Sequence, residues 1–159
     1  MKGKIISILI IIFCVCVFVL RHEIINSYLA YKYPSPVEFS GLSFPIEKGF
    51  VFSKNKQSIR VTNALKDSYS FIIFHDFDIP GINSLEEYLK KLNHMVFSVD
   101  QLERDEIKYQ RSYSIDSEWL FYVSFYFPKQ KYMIMYCGKK DVYSNFQQIF
   151  ETIFYELPK

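Results

Sequence analysis

His75, Asp76 and Asp78 place one imidazole and two carboxylates within four residues, the best chemical constellation in the chain. Such a set suits a divalent cation in chemistry, but not in spacing. Side chains alternate along a strand, so His75 points away from Asp76 and Asp78. The segment reads as a strand end meeting solvent ahead of the Pro80-Gly81 turn, and no metal site is expected. Cys14 and Cys16 lie inside an uncharged apolar run, where a thiol serves as small apolar filler. Cys137 is the only other cysteine, so a disulfide within the rest of the chain is ruled out. Nucleophilic catalysis finds no set to work with. The histidines are His22 beside the apolar run, His75, and His94 near a helix end. No Gly-x-Ser-x-Gly elbow and no glycine-rich phosphate loop occurs among the five glycines. The chain is not expected to be an enzyme, and no cofactor is expected.

The aromatic residues carry the stronger signal. Tyr109, Tyr113, Tyr122, Tyr126, Tyr132 and Tyr136 all fall on three late strands. Tyrosine joins an apolar body to a polar tip and is common where one protein packs on another. These six form the candidate binding residues. The competing account is sheet propensity, with the rings partly covered by the last helix. A second candidate is a pocket between sheet and helix, lined by phenylalanines and Trp119, able to hold a small ligand or lipid.

These residues need a scaffold, and the sequence predicts one. Ser58–Ala64 alternates, with Ile59 and Val61 opposite Arg60 and Thr62. Leu42–Phe44 and Phe50–Phe52 are short strands around a turn. Tyr69–Phe77 is apolar on both faces and reads as a central strand covered on both sides. A helix starts at Ser84, with Ser84 and Glu87 as a capping box and Leu85, Tyr88, Leu89, Leu92 and Val96 along one face. Ile107–Ile115 alternates between a buried and a wet face, Trp119–Phe127 follows, and Pro128–Lys131 turns the chain into Tyr132–Cys137. The last helix runs from about Val142 to Glu156, with Asp141 as N-cap and Phe146, Ile149, Phe150, Ile153 and Phe154 as its apolar stripe. The expected fold class is α+β: an antiparallel β-sheet with two packed helices, preceded by one transmembrane helix.

Charge separates that domain from what precedes it. The chain has 19 Lys+Arg and 17 Asp+Glu, a net charge of +2. Lys2 and Lys4 supply the whole excess, since Arg21–Lys159 carries 17 basic and 17 acidic residues. No basic face is implied, and no nucleic-acid partner is expected. Ile5–Leu20 contains 16 residues and no charge. As a helix this run spans about 24 Å against a hydrocarbon core of about 30 Å, a deficit that snorkelling Lys4 and Arg21 reduce. No small-x-small cleavage pattern follows it closely, so an uncleaved signal anchor is expected rather than a removed signal peptide. Lysines on the short flank place that flank in the cytoplasm and residues 42–159 outside the inner (plasma) membrane, in the periplasm of a Gram-negative cell. The expected divisions are 1–33, a cytoplasmic tip, anchor and juxtamembrane helix; 34–41, a proline-marked linker; and 42–159, the extracytoplasmic domain.

From Leu42 to Leu157 the chain resembles the Mog1/PsbP-like α/β sandwich. The resemblance lies in FPIEKGF (Phe44–Phe50) leading into a hairpin, in the mid-chain helix SLEEYLKKL, in the aromatic antiparallel strands, and in the closing FQQIFETIF helix. That superfamily includes small bacterial envelope and secretion-associated domains, binding proteins, chaperone-like adaptors and photosystem subunits. It implies a sandwich fold and no chemistry. The expected function is a membrane-anchored extracytoplasmic domain that binds another envelope or secreted protein. It would act as an immunity-type inhibitor of a toxin or as an accessory subunit of an envelope or secretion complex. The alternative is a small-ligand or lipid-binding envelope domain.

Overall fold

The computed structural model describes residues 2–63, 69–77, 85–116 and 120–159. The first helix, α1, runs Lys2–Lys32 and is bent by 57° between its parts Ile10–Phe18 and Glu23–Lys32. Among the described residues no single helix is long and apolar enough to cross a membrane, while these two parts pass that test together by length and composition. Arg21 falls between the two parts and Glu23 opens the second, and both lower the hydropathy there. Residue Leu29 is buried and Tyr33 meets Phe52 edge-on at 5.4 Å, so the end of α1 rests on the domain. The prolines Pro34 and Pro36 then stop the helix as expected.

A hairpin follows: β1, Val37–Phe39, and β2, Leu42–Phe44. Ser40 and Gly41 both have positive φ, 50° and 85°, which makes the two-residue turn whose twist matches the strands. This corrects the expected linker over 34–41. Val37, Phe39, Leu42 and Phe44 are all buried, so the segment is part of the core. Two nearby prolines give the stretch the look of a spacer, and its strand is too short for alternation to show.

The described strands β3 (Phe50–Lys54), β4 (Ser58–Asn63), β5 (Tyr69–His75), β6 (Met95–Arg104), β7 (Ile107–Ile115), β8 (Phe121–Phe127) and β9 (Tyr132–Gly138) form one sheet, ordered β3-β4-β5-β9-β8-β7-β6. Every neighbouring pair is antiparallel. Two meanders, β3–β5 and β6–β9, are therefore joined in the middle by β5 and β9. Their register runs from Tyr69↔Gly138 to His75↔Tyr132.

Helix α3, Tyr143–Glu156, buries Phe146, Ile149, Phe150, Ile153 and Phe154. They pack on Phe71, Ile73, Val123, Phe125, Phe127, Ile134 and Tyr136, with the β1–β2 hairpin covering the same face. Phe125 and Phe150 stack at 3.9 Å between centroids. On the other face α2, Leu85–Lys91, sets Leu85 and Leu89 against Met133 and Met135. The central strand β5 is thus fully covered on the α3 face, by way of Tyr69, Phe71 and Ile73. On the other face Ser70, Ile72 and Phe74 are half-buried and Phe74 packs at the margin of the α2 cluster, so the expected two-sided cover is complete on one face and partial on the other.

Three expectations are corrected here. The mid-chain helix ends at Lys91, and Val96 belongs to β6. Asn93 has φ 62°, and the amides of Asn93 and His94 bond to the carbonyls of Lys90 and Leu89, which closes the helix in a Schellman arrangement. The proposed Ser84 cap lies outside the described residues. The amide of Leu85 donates to Gln110 Oε1 at 3.2 Å, so a strand residue satisfies this helix end. At α3, a 3₁₀ turn over Lys140–Val142 precedes the helix and no side chain caps it, so Asp141 is not the N-cap. Finally, Ser112 and Ser114 on β7 are fully buried, so the expected wet face of that strand is closed over this stretch.

Phe146 touches the aromatic rings of Phe71, Phe125, Tyr136, Tyr143 and Phe150 and is fully buried. Phe146→Ala is expected to destabilise the domain by about 3–5 kcal/mol, through lost transfer energy and the cavity left behind. Urea unfolding of the full chain in detergent, followed by tyrosine fluorescence, measures it.

Candidate functional site: a groove at one end of the sheet

Strand parity decides where the six candidate tyrosines go. Tyr109, Tyr113, Tyr132 and Tyr136 share the α3 face, while Tyr122 and Tyr126 lie on the α2 face. They do not make one surface. Tyr136 is fully buried among Tyr69, Phe121, Tyr143 and Phe146. Tyr132 is buried too, and its hydroxyl donates to the Ser40 carbonyl at 2.6 Å, pinning the β1–β2 turn to the sheet. Tyr109 stacks on Phe127 at 5.2 Å. Burial raises the phenol pKa of Tyr109, Tyr122, Tyr132 and Tyr136. These rings mainly build the core. Of the six, Tyr113 lines an open site.

That site is a groove of about 1010 Å³ at the end of the sheet where β7 stops, β8 starts and β9 leads into α3. Tyr113 and Ile115 come from β7, Leu120 and Phe121 from the start of β8, and Tyr143 from the first turn of α3. Phe97 and Ser98 come from β6, where a register shift between Val96 and Ser98 disrupts the pairing with β7. A bulge of this kind turns a side chain out of the ladder, and Phe97 is 62% exposed. The floor is aromatic. Tyr113 stacks on Phe121 at 6.0 Å, and Tyr143 meets Phe121 edge-on at 6.0 Å. Burial, then the neighbouring Tyr113, push the Tyr143 phenol pKa well up, so its hydroxyl stays protonated. Arg111 lies over the Tyr113 ring at 5.1 Å and bonds to Asp100 Oδ2 at 2.8 Å, which fixes the ring and pairs the guanidinium.

Lys139 and Lys140 form the polar rim. Both are exposed, and among the described residues neither makes an ion pair. The hydroxyl of Tyr136 donates to the Lys139 carbonyl at 2.6 Å, so the core itself positions the backbone of the rim. Near this end Met95 and Leu120 are also exposed, at 62% and 36%. Trp119, expected in a pocket, lies outside the described residues.

The groups considered for chemistry fall elsewhere. His75 does not point away from Asp76 as strand alternation predicts. Strand β5 ends at His75 and Asp76 has a φ of 52°, which brings His75 Nδ1 to 3.5 Å from Asp76 Oδ2, while the imidazole rests on the Tyr132 ring at 4.9 Å. Asp78 lies outside the described residues, and among those described no three His, Cys, Asp or Glu groups gather to hold a metal. Cys137 bonds with Tyr122 and Ser70, and burial raises its thiol pKa, which keeps it in the protonated, weakly nucleophilic form. Tyr122 donates to Asp116 Oδ2 at 2.9 Å, and His94 packs on Tyr122 at 4.3 Å with Nδ1 3.3 Å from Ser114 Oγ. This cluster clamps the turn after α2 to the sheet.

No protein-family model matches the sequence, and no curated protein matches it. The groove is therefore read by its own chemistry. It is an apolar, aromatic-floored cleft with two ammonium groups at one rim that make no ion pair among the described residues, suited to holding an apolar group.

Burial lowers the pKa of His94 below the ordinary imidazole value, and Asp116 offsets part of this. The unfolded chain therefore takes up this proton first as pH falls. Its contribution to stability is fully present above about pH 6.5 and is lost as pH drops through the lower folded value. Thermal melts at about pH 7.5 and about pH 5.5 should show a drop in Tm on acidification that is smaller in His94→Gln.

Proposed function

We propose that the chain is a membrane-anchored extracytoplasmic domain that binds another protein through the groove end of its sheet. The observation that carries the binding half is the exposed apolar surface there. Phe97, Met95 and Leu120 stand out beside an aromatic cleft instead of packing inside. A contiguous apolar patch with a polar rim is the ordinary mark of a protein interface.

The anchoring half rests on α1. Ile10, Ile11, Ile12, Phe13, Val15, Val17, Phe18 and Leu20 are all exposed, so the helix is apolar around its circumference with no domain surface covering it. Such a surface is stable in a bilayer and not in water. Arg21 over the Phe18 ring at 4.3 Å, and Lys32 near Tyr28 at 5.9 Å, supply cations with aromatic partners of the kind that sit at membrane interfaces. Lys2 and Lys4 favour a cytoplasmic flank, which puts the sheet on the outer side of the inner membrane. The Mog1/PsbP-like sandwich is proposed as the fold family. An antiparallel sheet with α2 on one face and α3 on the other supports it.

Within this reading, an immunity-type inhibitor of an incoming toxin and an accessory subunit of an envelope or secretion complex differ in partner. C-terminally tagged full chain, recovered from native membranes in mild detergent, distinguishes them. One stoichiometric secreted protein supports the first, several membrane subunits the second, and no partner contradicts both. A reporter active only in the cytoplasm, fused after Lys159, should be silent; strong activity would overturn the orientation.

The groove also favours a second reading, an envelope domain for a small amphiphile or lipid, because its volume and aromatic lining suit one. Extraction of the purified full chain with organic solvent, followed by mass spectrometry, should then yield a stoichiometric lipid or small amphiphile. A clean extract contradicts it.

A further inference from the structure

We infer that the groove receives an acidic segment of the partner protein, with one large apolar side chain seated on the aromatic floor and carboxylates meeting Lys139 and Lys140. The inference rests on the proposed protein-binding reading and adds the chemistry of what is bound. The floor formed by Tyr113, Phe121 and Tyr143 presents ring faces and edges to the groove, and such a floor selects an aromatic or branched aliphatic group. The rim selects by charge. Arg111 is neutralised by Asp100, so among the described residues that line the groove the charges left to meet a ligand are the ammonium groups of Lys139 and Lys140. Asp141 follows them in the 3₁₀ turn and does not line the groove. Two lysines are adjacent in sequence, and the Lys139 carbonyl is held by Tyr136, so the rim is already ordered before binding. The domain as a whole has no net charge to attract an acidic partner, so these two lysines are what steer one to this end.

The test uses the full chain in detergent micelles and a fluorescein-labelled peptide, Gly-Asp-Glu-Phe-Asp-Glu-Gly, read by fluorescence anisotropy. Controls are the same peptide with lysine for every acid, the same peptide with alanine for phenylalanine, and the variant K139E/K140E. Both substitutions are at exposed positions, and an unchanged melting curve confirms the fold. The acidic peptide should bind at least about fivefold tighter than the lysine peptide, and the preference should reverse in K139E/K140E. Removing the phenylalanine should weaken binding by about tenfold or more. Equal affinity for the two charged peptides, no effect of charge reversal, or no binding of the acidic peptide at about 1 mM would overturn the inference. A partner recovered from native membranes equally by wild type and by K139E/K140E would overturn the acidic chemistry while leaving the protein-binding reading intact. Loss of every partner from the wild type would remove both.

Discussion

Everything in this fold depends on the pairing of β5 with β9. Either meander alone would leave a long unpaired edge in the middle of what becomes the core. Their seven-residue register closes the sheet and fixes the side on which every later residue lies. Because side-chain direction alternates, a one-residue slip would send Tyr132, Ile134 and Tyr136 to the α2 face and Met133 and Met135 under α3. The aromatic stripe of α3 would then face sulfur and a thiol in place of Ile134 and Tyr136. Core packing and register therefore enforce each other.

The same seam builds the groove. Gly138 pairs with both Tyr69 and Phe121, so β9 ends level with the start of β8. The chain must leave the sheet there, and Lys139 and Lys140 fall at the exit. The 3₁₀ turn then swings α3 back over the sheet, bringing Tyr143 to Phe121. A cleft with an aromatic floor and a cationic rim follows from where the seam stops. A buried tyrosine, Tyr136, connects the two by bonding the rim backbone.

Much of this was legible in sequence where periodicity was strong. The two-sided apolar run of β5, the hairpin from β8 to β9 and the Phe/Ile stripe of α3 all stand where their patterns put them. β6 was missed because it is an edge strand. Its exposed Met95 and Phe97, its bulge and its mixed residues erase the alternation, and Leu89, Leu92 and Val96 mimic a longer helix. Asn93 was the available stop signal, since asparagine tolerates the left-handed conformation it adopts there. The candidate tyrosines were grouped by residue type, but strand parity divides them between two faces. The groove was not legible at all. Its floor draws on Tyr113, Phe121 and Tyr143 and its wall on Phe97, and only the tertiary fold brings these together.

The central claim is that the groove end of an anchored domain is its docking surface. Site-specific photo-crosslinking of the full chain in native membranes tests it most directly. A photo-reactive residue at Leu120 probes the groove, and one at Lys129, in the turn at the far end of β8, serves as control. The account predicts a discrete crosslinked protein from Leu120 and none from Lys129. Crosslinks from Lys129 alone, or equal products from both ends, would contradict it.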